Sequence, residues 1–215
     1  MINHDPINIG GFVPLTTIDF PSHLSAVIFC QGCPFRCHYC HNPALIPKTK
    51  NSDYSWENIK SFLIKRVGLL EAVVFSGGEP TFQTGLIKAV SYIKNLGFKI
   101  GLHTAGMYPN RLQQLLPYLD WVGMDIKAPF AEYQSITTMP NSGQLAMQSV
   151  KLIVESSIAA EFRTTVHPKL LNTQQVTVIH DTLQHMGAYN YTIQKFRTKG
   201  CVNQELNNYN ADMES

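Results

Sequence analysis

Three cysteines lie close together in the first fifth of the chain, and their spacing suits a metal cluster. Cys33, Cys37 and Cys40 follow a C-x3-C-x2-C pattern within residues 32–43. A [4Fe–4S] cluster has four irons and is usually held by four cysteine thiolates. Three local ligands would leave one iron open to a small molecule. The pattern therefore predicts a [4Fe–4S] cluster with one iron available for chemistry.

Two other kinds of metal site compete with this interpretation. With Cys30 included, the run offers four sulfurs, which suits zinc or a fully coordinated ferredoxin-like cluster. A structural zinc site usually pairs two C-x2-C knuckles about a dozen or more residues apart, and the gap here is much shorter. Cys30 also ends the apolar run 25–30, which is typical of a buried strand in which a thiol acts as a small apolar group. The three-cysteine cluster is favoured, and both alternatives stay open. Cys201, isolated in a polar region, is predicted to be a bystander.

Length and composition indicate one domain. The chain has 215 residues, of which 44% are hydrophobic and 15% charged, so it can bury one α/β core. We expect a single domain over residues 1–201 and a polar, disordered tail over residues 202–215. No sequence repeat is evident.

Charge and cysteine content limit the function classes. The net charge is +2 and the charged residues are scattered, so neither nucleic acid nor a membrane surface is an expected partner. The N-terminus does not resemble a signal peptide, and no long apolar run is present. Five cysteines, three of them crowded, fit a reducing compartment better than a disulfide framework. We therefore expect a cytoplasmic protein.

Apolar runs alternate with amphipathic segments along the chain. The expected strands are residues 26–29, 72–75, 99–103, 121–125, 160–166 and 189–194. The expected helices are residues 56–67, 86–96, 110–116, 144–156 and 173–185. Such alternation implies parallel strands joined by right-handed crossovers. The predicted fold is α/β, a partial (β/α)6 barrel of parallel strands.

Polar clusters follow five of the expected strands. The cysteine loop (32–43) follows the first strand, and residues 76–80, 103–106, 125–127 and 163–168 lie at the ends of the next four. Barrels of this kind carry their chemistry at the carboxyl ends of the strands. These clusters are therefore expected to meet in one active site.

The second cluster has a physical logic of its own. Gly77 and Gly78 allow the backbone to approach a ligand closely, and Pro80 stiffens the exit. Glu79 supplies an acceptor suited to an ammonium group. A plain strand-to-helix turn would explain the two glycines almost as well.

These motifs together resemble a known family. The cysteine triplet with Tyr39 before its last member, followed by Ser-Gly-Gly-Glu-Pro (76–80), is similar to the radical S-adenosylmethionine (SAM) superfamily. Residues 12–43 resemble the activating enzymes of glycyl radical enzymes, and the similarity runs from roughly residue 8 to residue 201. Within that group, the chain looks most like the activating proteins of anaerobic ribonucleoside-triphosphate reductase.

The resemblance implies the cofactors and most site residues. SAM would bind the open iron through its amino and carboxylate groups, and the three cysteines would hold the cluster. Cleavage of SAM would then give methionine and a 5′-deoxyadenosyl radical. The residues that match the segment near the methionine amino group are Gly77, Gly78 and Glu79.

Three charged residues match further family positions. Asp125 and Lys127 resemble an Asp-x-Lys motif in which the lysine meets the SAM carboxylate, and we count Lys127 among the catalytic residues. Arg163 matches an arginine that helps to hold SAM. A solvated surface pair at 125 and 127, and a strand-edge charge at 163, are the simpler alternatives.

Other polar residues have weaker assignments. Tyr39 is expected to stack near the adenine, and Thr104 to make polar contacts or to cap a turn. His103 replaces an aspartate that forms a monovalent-cation site in some relatives, which puts such a site in doubt. The roles expected for the remaining residues are loop shaping for His41 and Asn42, and lining of the ribose side or simple burial for His167 and Gln194.

The resemblance implies removal of a glycine α-hydrogen from a separate glycyl radical enzyme, with anaerobic ribonucleoside-triphosphate reductase as the expected partner. A flavodoxin- or ferredoxin-type protein is the expected reductant. The alternative within the superfamily is a small-molecule enzyme similar to 7-carboxy-7-deazaguanine synthase. The alternative outside enzymes is an iron–sulfur electron carrier or a metal-stapled scaffold, which would leave the Gly-Gly-Glu-Pro and Asp-x-Lys segments without a role.

Overall fold

A computed structural model describes residues 6–48 and 53–209 and is built around one curved sheet. Its seven strands lie side by side in chain order. They are β1 (Ile9–Thr16), β2 (Ser25–Cys30), β3 (Ala72–Gly77), β4 (Lys99–Thr104), β5 (Trp121–Asp125), β6 (Ala159–Val166) and β7 (Tyr191–Lys195). The strands β2 to β7 are parallel, and the predicted partial barrel of six parallel strands is confirmed.

Strand β1 was not predicted. It pairs with β2 in the antiparallel direction, and its register is broken between Ile9 and Gly11 and between Val13 and Thr16. Its sequence, Ile-Gly-Gly-Phe-Val-Pro-Leu-Thr, contains two glycines and a proline, which are rare inside strands. An edge position tolerates them because only one side of the strand needs partners.

Helices connect the successive parallel strands, and a last short helix follows β7. They are α1 (Trp56–Ile64), α2 (Leu86–Asn95), α3 (Pro109–Leu115), α4 (Tyr133–Thr137), α5 (Ser142–Glu155), α6 (Thr173–His185) and α7 (Gln204–Asn207). The Ser55 side chain caps α1 by accepting from the backbone N–H of Asn58, as its sequence position suggests. Gly97 ends α2 with a φ of +96°. The short helices α4 and α7 were not predicted.

The two faces of the sheet have different coverings. Val73 and Phe75 point outward into the large core that the helices cover. Val74 and Trp121 point inward, where they pack with Phe20. Phe20 comes from the loop between β1 and β2, and its ring lies 5.7 Å from that of Trp121. This loop therefore closes the floor of the barrel beneath the strand ends.

The structure differs from the expectation of a disordered tail over part of its length. Asn203 caps α7 by accepting two backbone N–H groups, and Leu206 is buried. Burial against the rest of the domain orders this segment despite its polar composition. Residues 210–215 lie outside the described residues.

No helix in residues 6–48 or 53–209 has the length and apolar character that a membrane span requires.

Candidate active site

One cavity lies at the carboxyl ends of the parallel strands. Its volume is about 180 Å³, and its mouth is open to solvent. Ten of the predicted site residues line this cavity: Cys33, Cys37, Tyr39, Cys40, Gly77, Gly78, Thr104, Asp125, Lys127 and Arg163. The expected convergence of the strand-end clusters is therefore what the fold produces.

The cysteine loop is held at its start by backbone hydrogen bonds. The N–H groups of Gly32 and Cys33 donate to the carbonyl oxygens of Leu45 (2.8 Å) and Ile46 (3.1 Å). Such pairing fixes the path of the chain as it enters the loop. A smaller turn inside the loop brings the N–H of Cys40 to 3.1 Å from the Cys37 carbonyl oxygen.

Burial controls the chemistry of the three thiols. It raises the pKa of Cys33 to about 12, with the Glu79 carboxylate adding to the effect. Burial also raises the pKa values of Cys37 and Cys40, although the Lys127 ammonium opposes it at both. Thiolates in this loop therefore need a cationic partner, and binding to iron supplies one.

The loop fits a cluster better than a single ion. Within residues 6–48 and 53–209, no three His, Cys, Asp or Glu side chains are close enough to hold one metal ion. A cubane is larger and meets each thiolate at a different corner, so three separated thiols on one cavity suit it. Cys30 is fully buried in β2, as predicted, and does not line the cavity.

Gly77 and Gly78, at the end of β3, pack closely against the backbone at the start of the cysteine loop. Gly77 has a φ of +117°, and a Cβ there would lie 2.5 Å from the backbone of Cys30. A Cβ on Gly78 would lie 2.3 Å from the Gly32 carbonyl oxygen. The N–H of Gly78 donates to the Cys30 carbonyl oxygen at 3.0 Å. Only glycine allows this close approach, which leaves the backbone of both residues facing the cavity.

Glu79 differs from the expectation that its carboxylate faces a ligand. The side chain is 1% exposed and does not line the cavity. Its carboxylate accepts hydrogen bonds from both the N–H and the hydroxyl of Thr81, from the Thr104 hydroxyl (2.7 Å) and from the Ala105 N–H (2.8 Å). Three of these donors meet Oε1 and one meets Oε2, so Glu79 ties the end of β3 to the end of β4.

A charged triad lies on the wall formed by β5 and β6. Asp125 Oδ2 is 3.0 Å from Lys127 Nζ, and Asp125 Oδ1 is 3.0 Å from Arg163 Nη2. Burial would raise the pKa of Asp125, but the ammonium and the guanidinium outweigh it and hold this pKa well below its usual range. The Asp125 carboxylate keeps the pKa of Lys127 high against the effect of burial. The triad therefore keeps two cations and one anion beside the cavity.

Two tyrosines support Lys127. Its Nζ lies over the ring of Tyr39, 5.6 Å from the centroid. The Tyr133 hydroxyl accepts the backbone N–H of Lys127 at 3.0 Å. Sequence reasoning missed Tyr133, because its helix α4 is short and nothing in the sequence marks this hydroxyl as a partner.

His103 occupies the end of β4 and lines the cavity. One ring nitrogen is 3.4 Å from the Ser76 hydroxyl and the other is 3.0 Å from the Asp19 carbonyl oxygen. Burial, aided by the nearby Arg163 guanidinium, lowers the pKa of His103 to about 4. The ring is therefore uncharged near neutral pH. It links the cavity wall to the loop that closes the barrel floor.

The weaker assignments have mixed outcomes. His41 and Asn42 line the cavity, and His41 makes a hydrogen bond to the Arg197 carbonyl oxygen. His167 does not line the cavity but is buried under the C-terminal segment, and Gln194 is exposed on β7. Cys201 is also buried beside the cysteine loop and is not isolated as the sequence suggested.

Comparison with known proteins agrees with the geometry. Residues 27–175 match the radical SAM superfamily. A Methanocaldococcus jannaschii protein named "Putative glycyl-radical enzyme activating enzyme" is 31% identical over 92% of this chain and 83% of its own length. The pyruvate formate-lyase-activating enzyme of Clostridium pasteurianum is 31% identical over 51% of this chain and 48% of its own.

A solved structure supports the fold. The crystal structure of Streptococcus suis SuiB bound to S-adenosylmethionine superposes with a TM-score of 0.61 at 12% identity, over 77% of this chain and 38% of that one. The chain belongs to the radical SAM superfamily and, within it, to the activating enzymes of glycyl radical enzymes.

Proposed function

We propose that Cys33, Cys37 and Cys40 hold a [4Fe–4S] cluster and that the adjoining cavity binds SAM. The observation that carries this proposal is the meeting of three thiols and the triad of Asp125, Lys127 and Arg163 on one cavity. When bound, the cluster and SAM together supply a 5′-deoxyadenosyl radical by reductive cleavage.

The residues of the wall suit the methionine part of SAM. Lys127 and Arg163 carry more N–H donors than Asp125 accepts, so donors remain for the SAM carboxylate. The backbone of Gly77 and Gly78 lines the cavity and would offer polar groups to the methionine amino group. Tyr39 presents a ring beside Lys127, which suits contact with the adenine, and Thr104 adds a hydroxyl.

The floor of the cavity suits radical chemistry. Phe20 and Trp121 fill the barrel beneath the triad and His103, and both are at least nine-tenths buried. An apolar floor keeps water and stray hydrogen donors away from a reactive intermediate. The open mouth leaves a route for a protein loop to reach the cavity.

We further propose that the partner is anaerobic ribonucleoside-triphosphate reductase and that a flavodoxin- or ferredoxin-type protein supplies the electron in the cytoplasm. The partner proposal is supported by the resemblance of residues 12–43 to the activating enzymes of glycyl radical enzymes, among which the chain looks most like the activating proteins of this reductase. The stretch between Cys40 and Ser76 contains no cysteine, so no ferredoxin-like insert lies there.

Two measurements test the proposal in order. Protein reconstituted with iron and sulfide without oxygen should convert SAM to 5′-deoxyadenosine when dithionite is added. The same mixture with the reductase should then show a glycyl radical signal by electron paramagnetic resonance (EPR), and pyruvate formate-lyase serves as the comparison partner. A glycyl radical signal in the mixture with the lyase, but none in the mixture with the reductase, would refute the proposed partner. Absence of SAM cleavage would refute the proposed chemistry.

A further inference from the structure

Residues 196–209, which we name the C-terminal strap, lie against the cysteine loop. His41 Nε2 is 2.8 Å from the Arg197 carbonyl oxygen. Because a carbonyl oxygen only accepts, the ring nitrogen carries the proton and donates this bond. The His41 ring also packs against Phe196, with the ring centroids 5.4 Å apart. The residue that directly follows Cys40 is thus held by both a hydrogen bond and a ring contact.

The backbones of the strap and the loop also touch. Gly200 has a φ of +92°, and a Cβ there would lie 2.5 Å from the His41 carbonyl oxygen. The buried thiol of Cys201 lies 4.0 Å from the His38 carbonyl oxygen. The strap therefore contacts the loop on both sides of Cys40, and one of these contacts leaves no room for a side chain.

A buried histidine fixes the other side of the strap. His167, just after β6, accepts the backbone N–H of Lys169 at Nδ1, at 3.1 Å. Its Nε2 therefore carries the proton and donates to the Leu206 carbonyl oxygen, also at 3.1 Å. Its ring packs against Phe196 (4.9 Å between centroids) and Tyr209 (5.2 Å). His167 thus joins the beginning and the end of the strap to the barrel.

We propose that the C-terminal strap positions the cysteine loop for its cluster, with Gly200 and His41 as the positioning residues. Residues 31–40 form no helix or strand, so contacts from outside the loop help to fix the positions of its three thiols. Contacts that hold a ligand-bearing loop from outside commonly change metal affinity by about 10- to 100-fold. This inference rests on the proposed [4Fe–4S] cluster.

A pair of glycine variants separates positioning from simple stability. Gly200→Ala places a methyl group in the left-handed region and against the loop backbone. Gly97→Ala has nearly the same φ, +96°, but open space around its Cβ. We expect the melting temperature of both apo-proteins to fall because the backbone strain is shared, and to fall further in Gly200→Ala because of its contact with the His41 carbonyl oxygen. Chelator-driven iron loss from the reconstituted protein should be about tenfold faster in Gly200→Ala alone.

A second variant keeps the test open if Gly200→Ala does not fold. His41→Phe retains a ring against Phe196 but removes the donor to Arg197. We expect faster iron loss and an altered EPR line shape of the reduced cluster, and His41→Gln, which keeps a donor, should restore part of both. If the wild type and Gly97→Ala hold a cluster and Gly200→Ala and His41→Phe hold it equally well, the strap inference is wrong. If the wild type holds no cluster, the proposed function itself fails.

Discussion

Asp125 and Arg163 are register partners on the neighbouring strands β5 and β6, and their side chains form an ion pair with Nη2 and Oδ1 3.0 Å apart. Asp125 points inward because it lies four residues after the inward Trp121 on β5, and side chains alternate along a strand. Its register partner Arg163 points the same way. The pair is completed by Lys127, two residues beyond Asp125. Sheet register therefore brings Arg163 to the cationic wall of the cavity, and chain proximity brings Lys127.

Removal of the Lys127 ammonium should weaken SAM binding. In Lys127→Met, the cavity loses the ammonium group that we propose to bind the SAM carboxylate through a charge-assisted hydrogen bond. We therefore expect the affinity for SAM to fall by about 10- to 100-fold. Calorimetric titration of reconstituted protein with SAM measures this. Lys94→Met is the matched control, because it breaks the Lys94–Asp120 pair (2.6 Å) away from the cavity. Equal SAM affinity in the two variants would remove Lys127 from the site.

The sequence predicts the six parallel strands and the polar residues at their ends. Apolar runs such as Ala72–Gly77 carry this information locally, since three of the four buried residues in this strand are β-branched or aromatic. Residues at strand ends are then brought together by the topology alone. For this reason Asp125, Lys127 and Arg163 could be placed on one site without a structure.

The role of Glu79 could not be predicted in the same way. Its sequence position places it at the rim, but its direction depends on donors from Thr81, Thr104 and Ala105. Burial of the C-terminal strap likewise depends on His167, which lies on another element. Such partners are tertiary contacts, and composition or periodicity does not report them.

The cysteine assignment predicts a sharp difference between two thiols. Cys37→Ala should lose the cluster, because only two thiols of the loop would remain on the cavity. Cys30→Ala should retain about four irons per chain, since the Cys30 thiol is buried in β2 away from the cavity. Iron and sulfide analysis with Mössbauer spectra measures both. Loss of the cluster from Cys30→Ala together with its retention by Cys37→Ala would overturn the ligand set.

The bonds of Glu79 predict a stability effect rather than a binding effect. In Glu79→Gln an NH2 group would face at least one of the donors that the carboxylate now accepts, so the free energy of unfolding should fall by about 1–3 kcal/mol. Urea denaturation of the apo-protein measures it. Glu71→Gln is the control, because this exposed side chain accepts its hydrogen bond from the Leu24 N–H at the surface. Unchanged stability with weakened SAM binding would instead support a ligand role for Glu79.

The low pKa of His103 predicts how stability depends on pH. The unfolded chain binds a proton at this ring near pH 6.5, whereas the folded protein does so only near pH 4, because burial disfavours the charged ring. Between these values the unfolded state holds more protons, so the free energy of unfolding should fall as the pH is lowered through this range. The loss of unfolding free energy should approach about 3 kcal/mol near pH 4. Solvation of the charged ring by water in the cavity makes this loss smaller.

Two variants isolate this effect in the apo-protein. Asp125 does not interfere above pH 4.5, because its folded pKa is depressed and its unfolded pKa is about 3.9. His103→Gln should therefore flatten the fall in stability between pH 6.5 and pH 4.5. His185→Gln, which changes an exposed ring at the end of α6, is the control for replacing a histidine by glutamine. Urea denaturation at a series of pH values gives the free energy of unfolding of the wild type and both variants. Equal slopes of this free energy against pH in the wild type and His103→Gln would contradict the prediction. They would show that the His103 ring accepts a proton in the folded state as readily as in the unfolded chain.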